Sequence, residues 1–378
     1  MTRQSGKIGG TLIPVLVALL LLASLISAPA QAQEDEEQLQ IGYSGLSLQG
    51  ANDADQKLAS DIDAMSAKMA ETKKANDLGT RIADGTDVVL GNFQEVIRIH
   101  FSTRWGENVC TGVLLSNDAI LTAGHCGCGS NYRAEIQYQR AAPDSELPFI
   151  ELTVSAGPVP FPGYDCRNPN GTQIGHDLAL LRIVPLTLNG RRAEEVGPPG
   201  HKTNIELDFP VIRSTIQVLS QPDLKSLYIV GFGATERGKL AANLQGANVG
   251  LISRHCARGR VFASYCAMFR EFALGRSSSD PGSKSVDSCG GDSGGPAYRM
   301  DTDATFGTNS GKIDAASRRT LVGIVSRALN GVVHPYPGYC GGGGIYTAVG
   351  TRPVLDWLRS ENVAFLFDPD PIYQPEAE

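Results

Sequence analysis

The segment Gly291-Asp292-Ser293-Gly294-Gly295-Pro296 sets a serine among glycines, where a sharp turn can expose its hydroxyl and aim backbone N–H groups at a shared point. A serine hydroxyl is a weak nucleophile until a base takes its proton. A neutral imidazole can be that base when an acceptor fixes its tautomer. Two upstream segments offer partners: His125 in Leu121-Thr122-Ala123-Gly124-His125-Cys126, and Asp177 in His176-Asp177-Leu178-Ala179-Leu180-Leu181. Each residue alone has a plainer reading, as a buried histidine beside a disulfide, a turn or capping aspartate, and a turn serine. Together they could carry out acyl transfer.

Chain order narrows the choice. Gly-x-Ser-x-Gly also suits the nucleophile elbow of α/β-hydrolases, where the base follows the serine; here only His334 does. The order His125, Asp177, Ser293, each in its local motif, resembles the trypsin/chymotrypsin-like serine proteases over about residues 82–364. That resemblance implies an all-β fold of two six-stranded antiparallel Greek-key β-barrels packed face to face, closed by a C-terminal α-helix. It also implies roles. Ser293 attacks the scissile carbonyl, His125 moves the proton, and Asp177 orients His125. The N–H groups of Gly291 and Ser293 form an oxyanion hole, and Ser326 borders the pocket and supports the aspartate. The rival from another class is an inactive homologue acting as a protein-binding module.

Further positions follow from the same resemblance. Asp287, six residues before Ser293, matches the carboxylate at the base of a slot that takes Arg or Lys, with Ser288, Ser326, Ala328 and Gly344 around it. Two departures stand beside it. Arg327-Ala328 replaces the usual Trp-Gly, putting a cation near a pocket meant for a cation, and the loop Leu329–Tyr339 is longer than usual. Arg81-Ile82-Ala83-Asp84-Gly85 resembles an activation junction, at which a cut after Arg81 would let the Ile82 amino group pair with Asp292. Cys110–Cys126, Cys256–Cys266 and Cys289–Cys340 match family disulfides. Cys128 and Cys166 are left as a fourth bridge or, with His176, as a zinc site lacking an obvious fourth ligand.

These residues need a scaffold that positions them. The chain has 378 residues, 43 of them Gly and 21 Pro, which points to many turns and hence to β structure. With 42% apolar and 19% charged residues a core is feasible, and a net charge of −7 removes the electrostatic case for binding nucleic acid. Strands are predicted at 95–101, 112–115, 119–122, 134–138, 178–183, 227–230, 321–326 and 344–349, with a helix at about 352–361 carrying Val354, Leu355, Trp357 and Leu358.

The ends of the chain read as an address and a precursor. Arg3 and Lys7 precede an apolar run from Leu12 to Ile26 and then Ala30-Gln31-Ala32, the layout of a secretory signal peptide cut after Ala32. The run's 15 residues fall short of the ~20 a spanning helix needs, so no stable membrane anchor is expected. Export would put the eight cysteines in an oxidising compartment. Residues 33–81 read as a propeptide with an amphipathic helix over 54–75, residues 82–365 as the enzyme (barrels at about 82–195 and 205–350), and 366–378 as a disordered Pro/acidic tail. The expectation is a secreted, monomeric endopeptidase made as a zymogen, acting on protein or peptide substrates after Arg or Lys. Protein inhibitors are possible partners, and no cofactor or metal is called for.

Overall fold

The computed structural model describes residues 82, 85–89, 91–138, 149–168, 173–190, 192–196, 203–235, 237–275, 286–300, 319–337 and 340–369. The expected signal peptide, propeptide helix, Arg81, Asp84 and the last nine residues lie outside them.

Seven strands build the N-terminal unit: β1 (Val96–Thr103), β2 (Gly106–Leu114), β3 (Ala119–Thr122), β4 (Ser130–Gln137), β5 (Phe149–Leu152), β6 (Val154–Pro160) and β7 (Ala179–Ile183). In β1, Ile97, Ile99 and Phe101 point inward while the residues between them are less buried, the period-two pattern of a sheet with one wet face. The antiparallel path runs β5-β4-β1-β2-β3-β7-β6. Its two edges, β5 and β6, are consecutive in sequence with only Thr153 between them. One bent segment therefore supplies both edges of the sheet, and no ladder among the described residues joins them, so this unit is a half-barrel of seven strands where a closed six-stranded barrel was expected.

The C-terminal unit consists of β8 (Ser226–Gly231), β9 (Gln245–Ser253), β10 (Glu271–Leu274), β11 (Pro296–Met300), β12 (Arg319–Ala328) and β13 (Gly344–Ala348). These pair in the order β11-β8-β9-β10-β13-β12, and β12 returns to β11, closing a six-stranded barrel. The first eight residues of β12 are buried, as expected of a strand covered on both faces. Phe272 and Tyr346 stack inside at 5.4 Å, among Leu227, Ile229, Val249 and Val325.

The eight predicted strands all fall on observed ones. Those that escaped prediction, among them β6, β9 and β10, are Pro- or Gly-bearing or interrupted by charge, as in Val154-Ser155-Ala156-Gly157-Pro158 and Glu271-Phe272. Two chain segments do not sit where the sequence suggested. Thr86 and Asp87 pair with Gly246 and Gln245 of β9, and Ile82 is fully buried in the C-terminal core, so the chain starts on the second unit before entering the first. Leu366 and Phe367 of the tail pair in parallel with Val211 and Ile212, and Arg213 holds Asp368 at 2.8 Å. Two apolar residues ahead of the acidic stretch supply the grip that composition alone concealed.

A short helix, α1 (Thr215–Ser220), precedes the second unit, and α2 (Arg352–Ser360) follows it. Pro353 sits in the first turn of α2, where a missing N–H costs nothing. Asn362, at φ 55°, takes the left-handed C-terminal position, and Val363 N–H reaches back to the Leu358 carbonyl at 3.0 Å. The buried stripe Val354, Leu355, Trp357 and Leu358 joins the apolar core of the N-terminal unit, and Trp357 meets Phe161 edge-on at 5.2 Å. Removing the indole should therefore loosen both units. Trp357→Ala is expected to cost about 3–5 kcal/mol of unfolding free energy, read as a lower denaturation midpoint with an unchanged slope.

Candidate active site

Asp177 lies two residues before β7 and is fully buried. A carboxylate there is tenable only with donors around it. His125 provides two of them. Its Nδ1 lies 3.1 and 3.0 Å from the two Asp177 oxygens, and its backbone N–H donates to Oδ1 at 2.9 Å. Ser326 Oγ, near the end of β12, donates to Oδ2 at 2.6 Å, and Gln173 Nε2 approaches the same oxygen at 3.4 Å. The single-turn 3-10 helix Gly124–Gly127, directly after β3, turns the His125 ring toward this cluster.

These contacts set the charges. Burial favours a neutral Asp177, but the facing His125 charge and the hydrogen bonds from His125 and Ser326 overcome it and hold the carboxyl below its ordinary range. For His125, burial again opposes the charged form; the Asp177 charge and hydrogen bond outweigh it and raise the imidazole above its ordinary value, while the Arg327 guanidinium pulls the other way.

Ser293 lies in the turn between Cys289 and β11, tied to the N-terminal unit by Thr111 of β2. Thr111 N–H donates to the Ser293 carbonyl at 2.9 Å, and its Oγ1 donates to the Gly291 carbonyl at 2.9 Å while accepting from Phe232 N–H at 3.1 Å. Gly294, at φ +84°, brings the turn so close that any Cβ would strike Thr122 Oγ1 and the Thr111 carbonyl. Gly291 has φ +97° and faces Gly233 Cα. The amides of Asp292, Gly294 and Gly295 donate to Cys289, Val325 and Asp292 carbonyls; those of Gly291 and Ser293 meet no protein acceptor among the described residues. No hydrogen bond joins Ser293 Oγ to the His125 ring among the described residues, a spacing common before substrate draws such groups together.

Asp292 accepts from Gly233 N–H at 2.7 Å and Cys289 N–H at 2.8 Å. Burial outweighs those bonds and pushes its carboxyl up to about 7. Ile82 lies buried in the C-terminal core, while Arg81 is outside the described residues.

Asp287 is also buried. Gly343 N–H donates to its Oδ2 at 2.7 Å and Ser288 Oγ approaches Oδ1 at 3.3 Å, yet burial raises it to about 7. Tyr346 OH reaches Ser288 Oγ at 3.4 Å. A Cβ on Gly344 would come within 3.1 Å of that Oγ, so the glycine keeps space open beside the carboxylate. Ala328 is half-buried and pairs with Gly344 across β12 and β13.

Arg327 corrects a sequence-based expectation. It adds no unpaired cation beside Asp287, because its guanidinium forks onto buried Glu271 at 2.7 and 2.9 Å. Glu271 was missed, as was Thr111; the only hint of the first was an acidic residue heading the apolar run Phe272-Ala273-Leu274.

The cysteines pair as Cys110–Cys126, Cys128–Cys166, Cys256–Cys266 and Cys289–Cys340. The sulfurs of the alternative zinc site are thus committed to each other, and His176 faces the Ile174 carbonyl and Arg270 instead. Cys110, His125 and Cys126 gather within 4.8 Å, but both sulfurs belong to a disulfide.

Comparison with known proteins places this arrangement. The family model described as Trypsin matches residues 82–340. Achelase-1 from Lonomia achelous is 25% identical over 57% of this chain and 91% of its own. Trypsin iota from Drosophila melanogaster is 27% identical, covering 68% and 82%, and coagulation factor IX from Oryctolagus cuniculus 28%, covering 60% and 73%.

The geometry makes a testable demand on His125. Followed by NMR, its ring should titrate above ~6.5 in the intact protein. In Asp177→Asn it should titrate below that value, because burial and Arg327 then act unopposed.

Proposed function

The chain belongs to the trypsin family of serine proteases, and on that premise we propose that it is a secreted serine endopeptidase, made as a zymogen, that cuts peptide bonds after Arg or Lys. Ser293 Oγ attacks the scissile carbonyl as His125 takes its proton. His125 then donates that proton to the leaving amine, and water repeats the sequence on the acyl-enzyme. Asp177 holds the Nδ1 proton of His125 and stabilises the imidazolium. The observation that carries this reading is the buried Asp177 carboxylate, which collects donors from His125 and Ser326 of two different units. The Gly291 and Ser293 amides, free of protein acceptors among the described residues, are the oxyanion donors, each worth about 3–4 kcal/mol in the transition state. A base with a raised pKa must lose its proton to work, so activity falls as pH drops through the His125 value.

The zymogen step turns on Asp292. Before the cut after Arg81 it is buried without a cation against it among the described residues, which favours its neutral form. The new Ile82 ammonium would give it a partner, ionise it and fix the turn that bears Gly291 and Ser293. Removal of the address by a cut after Ala32 and of residues 33–81 at this step would leave the mature enzyme.

Asp287 is the specificity carboxylate. An Arg or Lys side chain pairs with it, whereas an apolar one leaves it buried and unpaired. Protein cleaved after Arg81 and given a mixed peptide library should cut after Arg and Lys, and Ser293→Ala should lower the rate by about four orders of magnitude or more. Cuts mainly after Leu or Phe would sink the role of Asp287, and an unreactive wild type would favour a binding module instead.

A pH measurement tests the same slot. An amidinium inhibitor binds the ionised form of Asp287, whose carboxyl burial has raised to about 7. Its affinity should rise about tenfold per pH unit below that value and level off above it.

A further inference from the structure

Arg327 ends in a place that gives it more than a counterion. Besides its fork to Glu271, the guanidinium donates through Nη1 to Ser326 Oγ at 3.1 Å and through Nη2 to the Tyr265 carbonyl at 2.9 Å. Glu271 is fully covered, and its two oxygens also accept Gly175 N–H at 2.8 Å and Ala267 N–H at 2.7 Å. Every lone-pair direction of the carboxylate is therefore used, which locks the guanidinium in one orientation.

We propose that Arg327, held by Glu271, is a positioning residue that acts through Ser326 on Asp177. The proposal rests on the triad reading above. A guanidinium has donors only, and a serine hydroxyl has one proton and two lone pairs. With Arg327 donating into the Ser326 oxygen, that hydroxyl has no reason to turn its proton toward Arg327. The proton goes to Asp177 Oδ2, 2.6 Å away. A hydroxyl that accepts a charged donor is itself a stronger donor, so the chain Glu271, Arg327, Ser326, Asp177 polarises in one direction and keeps Asp177 ionised and fixed beneath His125. A tryptophan at this position, as the family resemblance leads one to expect, could not supply a fork.

Several charged or titratable groups surround the pair Asp177–His125. Arg327 faces them from β12 with Glu271 of β10 behind it. Tyr164 is raised by burial and by the Asp177 charge, and His176, next to Asp177 in the chain, faces Arg270, which directly precedes β10. None of the others donates to Ser326 among the described bonds.

The test uses the protein cleaved after Arg81 and a one-residue arginine ester, which does not reach past the specificity slot. In Arg327→Lys the single ammonium stays on the Glu271 carboxylate, so the buried acid keeps its charge partner while Ser326 loses its donor. The expected result is a kcat lower by about 3- to 10-fold, a KM within about twofold, and an acid limb moved up by a few tenths of a pH unit as Asp177 becomes the stronger base toward His125. On a Ser326→Ala background the same substitution should change kcat by less than about twofold, since the route is gone. Equal losses on both backgrounds would overturn the proposal.

Arg327→Gln combined with Glu271→Gln removes both charges together, leaves neither ion alone, and should move the acid limb further in the same direction. NMR titration of His125 in Ser293→Ala protein reads the same shift without turnover. An unchanged titration in the Arg327 variants counts against the relay, whereas absence of hydrolysis by the wild type counts against the triad reading itself.

Discussion

A single buried negative charge organises this molecule. Asp177 has no solvent, and an ion stripped of water is unstable by several kcal/mol unless donors replace what was lost. The donors come from separate parts of the chain: a turn after β3 gives His125, the end of β12 gives Ser326, and its own loop gives Gln173. No local segment could assemble that set. The two units must be built and pressed together before the carboxylate is tolerable, and the same contacts that make it tolerable hand it an imidazole.

The seam between the units is correspondingly strong. Its apolar part is continuous, running from Ile97 and Leu121 through Tyr228 and Tyr298 to Trp357. A second buried ion pair crosses it, with Arg319 of β12 at 3.1 Å from Glu95 just ahead of β1 and Tyr298 OH at 3.0 Å from the same carboxyl. Gln137 of β4 adds bonds to Asn243 and to Leu244 N–H, each at 2.7 Å. Each of these polar ties has a strand residue at one end, so the turns holding His125 and Ser293 take their separation in part from rigid elements.

What could be read in the sequence and what could not divide along physical lines. Strands with uninterrupted or alternating apolar residues, such as Leu178–Ile183 and Leu321–Ser326, announce themselves, because burial periodicity is a local property. The residues His125, Asp177 and Ser293 stand out for the same reason, each framed by distinctive neighbours. Thr111 and Glu271 do not. Their significance lies in partners far along the chain, Gly291 across the seam for Thr111 and Arg327 within the same barrel for Glu271, and nothing adjacent in sequence marks either residue. Arg327 shows the cost of that blindness: its charge was visible in the sequence, whereas the Glu271 carboxylate that pairs with it was not.

Thr111 also has a bearing on when the molecule becomes what it is. The bond from its hydroxyl to the Gly291 carbonyl closes a span of 180 residues, and Glu95 and Arg319 are 224 apart. Contacts across such separations are entropically late, because both barrels must exist before the loop between them can be drawn shut. The hairpins of each unit can form early and locally, but the turn bearing Ser293 reaches its final place only when the halves meet. Under the function proposed above, a chain still folding would offer its exposed backbone as the nearest substrate to itself before the turn that bears Ser293 is in place.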